Sequence, residues 1–151
     1  MESRLPILAA ALLAACTTTS VQEFAQPDTS VPLQNPSRSR IYVMRAEQVL
    51  GSALPARIYE DRDLVGHIME GSYVCWDGRP GRRLLSAVLE RRPIDGGDIE
   101  GLMDLVTEGG GTYFVKVAFR NSDRKPELSL MGAEEGRALL ARRKPADPKG
   151  T

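Results

Sequence analysis

The sequence predicts a mainly β fold, an antiparallel β-sandwich of about seven strands with a short C-terminal helix. Three observations carry that prediction. From Arg40 onward the apolar residues fall in short runs separated by Gly, Pro or Asp, which is strand spacing rather than helix spacing. One segment, Tyr113 to Phe119, alternates at a strict two-residue period. Helix signals gather only near the C-terminus, after the strand candidates have ended.

Taken in order, Ile41 to Met44 is a continuous apolar run, and Leu54, Ala56 and Ile58 alternate with polar or amphipathic neighbours up to Glu60; both read as strands. Asp61-Arg62-Asp63 turns the chain into Leu64 to Met69, and Glu70-Gly71 turns it again into Ser72 to Trp76. Asp77-Gly78-Arg79-Pro80-Gly81 carries the residues that supply positive and preset φ for tight turns, before Leu84 to Leu89. These segments are expected to form a meander of four connected antiparallel strands. Arg91 to Gly101, with Pro93 and three glycines, is expected as a surface loop, and Leu102 to Thr107 is a weaker strand candidate. Glu108-Gly109-Gly110-Gly111 then turns into Tyr113, Val115, Val117 and Phe119, with Lys116 and Arg120 on the other face; this strand is expected to be central. Asn121 to Pro126 reads as loop and Glu127 to Met131 as the last strand. Ala133 to Arg143 fits a helix, because Glu134 and Glu135 lie in its first turn and Arg137, Arg142 and Arg143 lie later, the order that the helix dipole favours. Pro145 is expected to end it.

A chain of 151 residues can bury one core without disulfide staples or a structural metal. Twenty basic and twenty acidic side chains leave no net charge, so the basic excess expected of a nucleic-acid binder is missing and no nucleic-acid partner is expected. Sixteen of the cations are Arg, which suits paired surface networks. Two cysteines and one histidine cannot complete the ligand set of a closed zinc site, and no metal or other cofactor is expected.

The N-terminus carries the clearest message. Arg4 is followed by an uncharged apolar stretch, Leu5 to Ala15, too short to span a bilayer and of the length of a signal-peptide core. It ends Leu13-Ala14-Ala15-Cys16, which resembles the bacterial lipobox. The thiol of Cys16 is the nucleophile that carries a thioether-linked diacylglycerol, and the small Ala14 and Ala15 admit the peptidase. Cleavage between Ala15 and Cys16 makes Cys16 the new N-terminus, whose amine is usually acylated in lipoproteins of diderm bacteria. One acyl chain holds only reversibly, whereas two or three give a lasting anchor. Thr17 is not the Asp that retains enteric-type lipoproteins at the inner membrane, so the expected location is the outer membrane, facing the periplasm.

The organisation that follows is a signal peptide over 1–15, a lipid-anchored tether over 16–39, a β-sandwich domain over 40–143 and a disordered tail over 144–151. The tether holds Pro27, Pro32, Pro36 and many Ser or Thr, and cannot bury enough to fold alone. Residues 17–39 would reach about 70 Å as polyproline, or about 26 Å as a flexible coil. The domain is expected to fold without residues 1–39.

Ile41-Tyr42-Val43, Leu64-Val65-Gly66 after an acidic turn, Gly71-Ser72-Tyr73-Val74, the Pro80-Gly81 turn and Gly111-Thr112-Tyr113-Phe114-Val115-Lys116-Val117 occur in an order that resembles one bacterial family, domain of unknown function twenty-eight forty-six. The similarity spans about residues 40 to 142. It implies a lipoprotein with this β domain and attaches no chemistry to any residue. Cys75-Trp76-Asp77 departs from the pattern, standing where an aliphatic or aromatic strand end is usual.

Several residues invite a chemical reading. His67 and Cys75, on neighbouring strand candidates, have the types of a base and a thiol nucleophile, but no oxyanion loop or orienting Asn or Asp motif accompanies them, and no catalytic residue is assigned. Cys75 is instead expected as a partly or wholly buried free thiol with no disulfide, since Cys16 is consumed by lipid. Asp61, Asp63, Glu70 and Asp77 lack the glycine-centred spacing of a calcium loop. The Gly109–Gly111 triplet lacks the helix and Lys-Ser/Thr of a phosphate loop. Trp76 and Tyr73, with Tyr59 and Tyr42, are the candidate ligand face, since aromatic rings stack on sugars; at strand spacing most aromatics are core instead. Arg82-Arg83 and Arg91-Arg92 flank a strand and offer cations to anionic lipid or polysaccharide. The expectation is a non-catalytic envelope lipoprotein held in the membrane through acyl chains on Cys16, its β-sandwich serving as an interaction or structural module for an envelope protein or glycan. A glycan- or lipid-binding lipoprotein with an aromatic and arginine face is the alternative, and a thiol-dependent enzyme is the third reading.

Overall fold

A computed structural model describes residue 24 and residues 26–47, 54–89, 96–119 and 124–146. Within them the chain forms β1 (Ser39–Arg45), β2 (Ala56–Glu60), β3 (Asp63–Ile68), β4 (Ser72–Gly78), β5 (Gly81–Leu89), β6 (Ile99–Thr107), β7 (Thr112–Phe119), β8 (Pro126–Met131), α1 (Ala133–Leu140) and β9 (Lys144–Pro145). The strands make two sheets, a five-stranded one ordered β8-β7-β1-β4-β9 and a four-stranded one ordered β3-β2-β5-β6. Pairing is mostly antiparallel, with β1 parallel to β7 and β4 parallel to β9. The mainly β, two-sheet architecture with one short C-terminal helix is therefore the one the sequence predicts.

The inner faces of the two sheets enclose a core that includes Ile41, Val43, Ile58, Ile68, Trp76 and Leu85. A second apolar layer lies on the outer side of the five-stranded sheet, where Tyr42, Met44, Tyr73, Cys75, Phe114 and Met131 meet Leu139 and Leu140 of α1. All seven residues of β1 are buried because both of its faces are covered, which is why its sequence reads as a continuous apolar run. The four-stranded sheet has no such cover among the described residues, and its outward positions include Leu102 at 58% and Val106 at 66% exposure.

The four-strand meander does not form. β2 and β3 do make a hairpin, turning through Asp61 and Arg62, both with positive φ. After Gly71, however, the chain crosses to the other sheet, where β4 pairs with β1, and β5 returns to pair with β2. The physical reason lies in β4 itself: Val74 and Trp76 are apolar on one face, Tyr73 and Cys75 on the other. Such a strand needs cover on both sides, and only the sheet backed by α1 supplies it. β7 takes an interior place between β8 and β1, as its pattern predicts.

Three boundaries differ from the sequence reading. β6 begins at Ile99, inside the expected loop, and Gly101 within it lies so close to β8 that a Cβ there would sit 2.1 Å from the Pro126 carbonyl oxygen. α1 ends at Leu140 rather than Arg143, and its last turn tightens as Arg142 N–H bonds to the Leu139 carbonyl and Arg143 N–H to that of Leu140. Lys144 and Pro145, read as tail, form β9 instead, and the Ala146 N–H donates to the Tyr73 carbonyl at 2.7 Å. Pro145 suits this edge position because no ladder donor is required of it.

Part of the segment read as tether also packs on the domain. Arg40 Nη1 donates to the Val31 carbonyl at 2.6 Å, Thr29 Oγ1 lies 3.1 Å from the Tyr73 hydroxyl, and Phe24 meets Trp76 edge-on with ring centroids 6.0 Å apart.

Candidate functional site

One end of the sandwich opens into a polar mouth of about 540 Å³. Glu60 at the end of β2, Asp61 and Asp63 at the β2–β3 turn, and Arg79 and Pro80 between β4 and β5 line it. Arg82 and Arg83 at the start of β5, and Arg38 and Phe24 from the segment before β1, complete it.

The floor of the mouth is a buried polar cluster. In β2 the residues Ala56, Ile58 and Glu60 share one parity and face the core; in β5, Arg83 shares parity with Leu85, Ala87 and Leu89. The two sheet neighbours thus bring a carboxylate and a guanidinium together beside Trp76. Trp76 Nε1–H donates to Glu60 Oε2 at 2.6 Å, and Arg83 Nη1 donates to Glu60 Oε1. Burial penalises the Arg83 charge and lowers its pKa from the ordinary arginine value; Glu60 offsets that cost by direct pairing. Arg83 is only 7% exposed and its Nε has no hydrogen-bond partner. The Arg83 guanidinium lies directly over Gly78, so a side chain there would displace it from its present position.

The rim is charged in both signs. Arg82 makes two hydrogen bonds to Asp104, at 3.2 and 3.0 Å, on the exposed surface. Asp61 Oδ1 accepts from the Leu84 backbone N–H at 2.8 Å. The guanidiniums of Arg38 and Arg79 make no hydrogen bond or ion pair among the described residues.

The residues singled out by sequence are distributed differently. Trp76 is 1% exposed in the inner core and Tyr73 is 4% exposed in the outer layer, so they do not form a ligand face. Their spacing of three residues places them on opposite faces of a strand whose period is two, and both faces are covered. Tyr42 is buried and stacks on Phe114 at 5.2 Å, and Tyr59 lies beside Arg57 at 5.9 Å. Cys75 and His67 are on different sheets, His67 opposite Arg57 in the β2–β3 pair and Cys75 opposite Tyr42 in the β1–β4 pair. Burial pushes the Cys75 thiol up to about 12, away from the thiolate a nucleophile needs. Of the acidic set, Asp77 is taken by Arg40, at 2.7 and 3.0 Å, and among the described residues no group of three His, Cys, Asp or Glu could hold a metal ion. Arg82 and Arg83 diverge, one to the surface and one to the floor. Ala15, Cys16, Arg91 and Arg92 lie outside the described residues, and no described helix is long and apolar enough to cross a membrane.

The sequence reading missed Glu60, Arg83, Arg38 and Arg79 as one site. The first two were detectable as opposite charges at core-facing positions of two strands; Arg38 and Arg79 join them only through the tertiary arrangement. No family model, curated protein or solved structure matches the chain.

Proposed function

We propose that the chain is a lipid-anchored bacterial envelope protein whose β-sandwich is a non-catalytic binding module, and that the arginine-rich mouth is the surface it binds with. The observation that carries this reading is the mouth itself, where buried Glu60 and Arg83 pair with each other while Arg38 and Arg79 remain available to a ligand. Of the aromatic and arginine face expected from sequence, Trp76, Tyr73 and Arg83 are buried and Arg82 is paired with Asp104, so the available guanidiniums among the described residues are two that the sequence did not single out. The anchor is supported by Leu13-Ala14-Ala15-Cys16, and outer-membrane residence facing the periplasm by Thr17. Membership of domain of unknown function twenty-eight forty-six belongs to the same proposal, supported by the order of its strand and turn motifs.

The anchor is tested by growth on labelled palmitate: the native chain incorporates the label and Cys16→Ala does not, remaining as a longer, uncleaved precursor. Label retained in the variant would remove the lipobox reading. The binding surface is tested by a photo-crosslinking residue placed at position 79 or at position 102, followed by mass spectrometry of adducts from intact cells. Adducts are expected from the mouth and not from the outer face of the four-stranded sheet; the reverse pattern would shift the module's surface to that sheet.

A further inference from the structure

The mouth and the anchor are close in the chain. Only residues 17–23 separate Cys16 from Phe24, and Phe24 lines the mouth while packing on Trp76. A free tether would reach about 70 Å, but with Phe24 docked the eight residue steps back to an anchored Cys16 cannot exceed about 29 Å even at full extension. In an acyl-anchored chain this contact puts the mouth at the end of a short leash, within reach of the lipid headgroups.

The charges of the mouth define what it would meet there. Arg82 is neutralised by Asp104 and Arg83 by Glu60. That leaves two guanidiniums, Arg38 and Arg79, and two carboxylates, Asp61 and Asp63, around a cavity of about 540 Å³. At the floor, the Arg83 Nε donor is buried without a partner. Guanidiniums suit phosphate oxygens through paired N–H donors, and carboxylates suit an ammonium. A ligand carrying only negative charge would satisfy the arginines and be repelled by Asp61 and Asp63. Resting on the lipid-anchor reading above, we infer that the mouth binds a zwitterionic phospholipid headgroup of the phosphoethanolamine type, its phosphate on Arg38 and Arg79 and its primary ammonium on Asp61 and Asp63. The occupant comes from the membrane itself, so anchoring and headgroup binding act together as two linked contacts.

The test uses the lipid-modified chain in vesicles containing a trace of dansyl-labelled headgroups, with energy transfer from Trp76, the single tryptophan, reporting the height of the mouth above the bilayer. Transfer should be greater in vesicles containing phosphatidylethanolamine than in pure phosphatidylcholine, whose quaternary ammonium has no N–H to donate. In the Arg38→Ala/Arg79→Ala double variant it should fall to the phosphatidylcholine level. In solution, equilibrium dialysis should detect binding of glycerophosphoethanolamine, weakened about tenfold or more by the double variant and also weakened by Asp63→Asn. Equal transfer in the two lipids would overturn the inference, as would equal binding of inorganic phosphate, which would mark a free-anion site. Greater transfer with phosphatidylglycerol than with phosphatidylethanolamine would do the same, by indicating simple attraction to a negative surface. Absence of palmitate on Cys16 would defeat the anchor reading by itself; palmitate present with lipid-independent transfer would defeat this inference alone.

Discussion

Cys75 and Tyr42 face each other across the β1–β4 pair, sealed beneath α1, and both are held in their neutral forms. Burial pushes the thiol from 9.0 to about 12 and the phenol from 10.0 to about 12. On the alkaline side the unfolded chain therefore loses these protons first. The stability they contribute is complete below pH 9 and disappears as pH rises through 12. Thermal melts should show Tm falling across that window, with a shallower fall in Cys75→Ala. At neutral pH, Cys75→Ser should cost about 1 to 3 kcal/mol by burying a hydroxyl, and Cys75→Ala less. Rapid reaction of the native thiol with a labelling reagent would contradict the burial. Glu60 makes a different demand, because it accepts from both Arg83 Nη1 and the Trp76 indole N–H. Glu60→Ala leaves a buried charge unpaired and should cost about 3 to 5 kcal/mol in urea unfolding, while adding Arg83→Met should recover part of that loss. Glu60 and Arg83 were each legible as charges at core-facing parity, in β2 and β5, yet their pairing was not, since strand parity says which face a side chain takes and not which strand lies alongside.

Among the elements, α1 and β6 are set by contacts that override local preference. Gly136 is the buried residue of α1, and a Cβ there would lie 2.2 Å from the Phe114 ring. Helix propensity alone favours Ala over Gly by about 1 kcal/mol. The contact reverses the sign, so Gly136→Ala should destabilise by about 1 to 3 kcal/mol, measured by denaturant midpoint. An increase in stability would mean that α1 can ride outward from Phe114 at little cost. Gly101 is the same case between strands, against the Pro126 carbonyl. In sequence that glycine reads as part of a loop, and only the approach of β8 explains why a glycine stands in the middle of β6. The helix end shows the complementary point. Dipole order marked a helix correctly, but Pro145 does not end it: the helix stops at Leu140, and the residues after it tighten into a turn that leads β9, with Pro145 in it, onto β4 and seals Tyr73.

For the whole molecule, the segment before β1 is more than a spacer. Arg40, buried near the start of β1, takes the Val31 and Asp28 carbonyls as acceptors besides Asp77, and Phe24 covers Trp76. A chain beginning at Ser39 should still give a β-dominated circular dichroism spectrum and a cooperative melt. It should nevertheless melt roughly 5 to 15 °C below a chain that keeps residues 24–38, because a buried guanidinium loses two acceptors and an indole loses its cover. Equal melting temperatures would return the segment to the role of a passive linker.

The alternation and turn residues alone determined that this chain is β-rich, where most strands start and stop, and that β7 is interior, because strand period and turn chemistry are local properties of a few consecutive residues. The lipobox resemblance and the absence of net charge are likewise local or additive, and need no fold to be read. Which sheet each strand joins, the burial of Trp76 and Tyr73 on opposite faces, and the gathering of Arg38, Glu60, Arg79 and Arg83 at one mouth were decided only by the tertiary structure. Those outcomes depend on which apolar faces cover one another, a comparison among segments far apart in the chain that no single segment encodes.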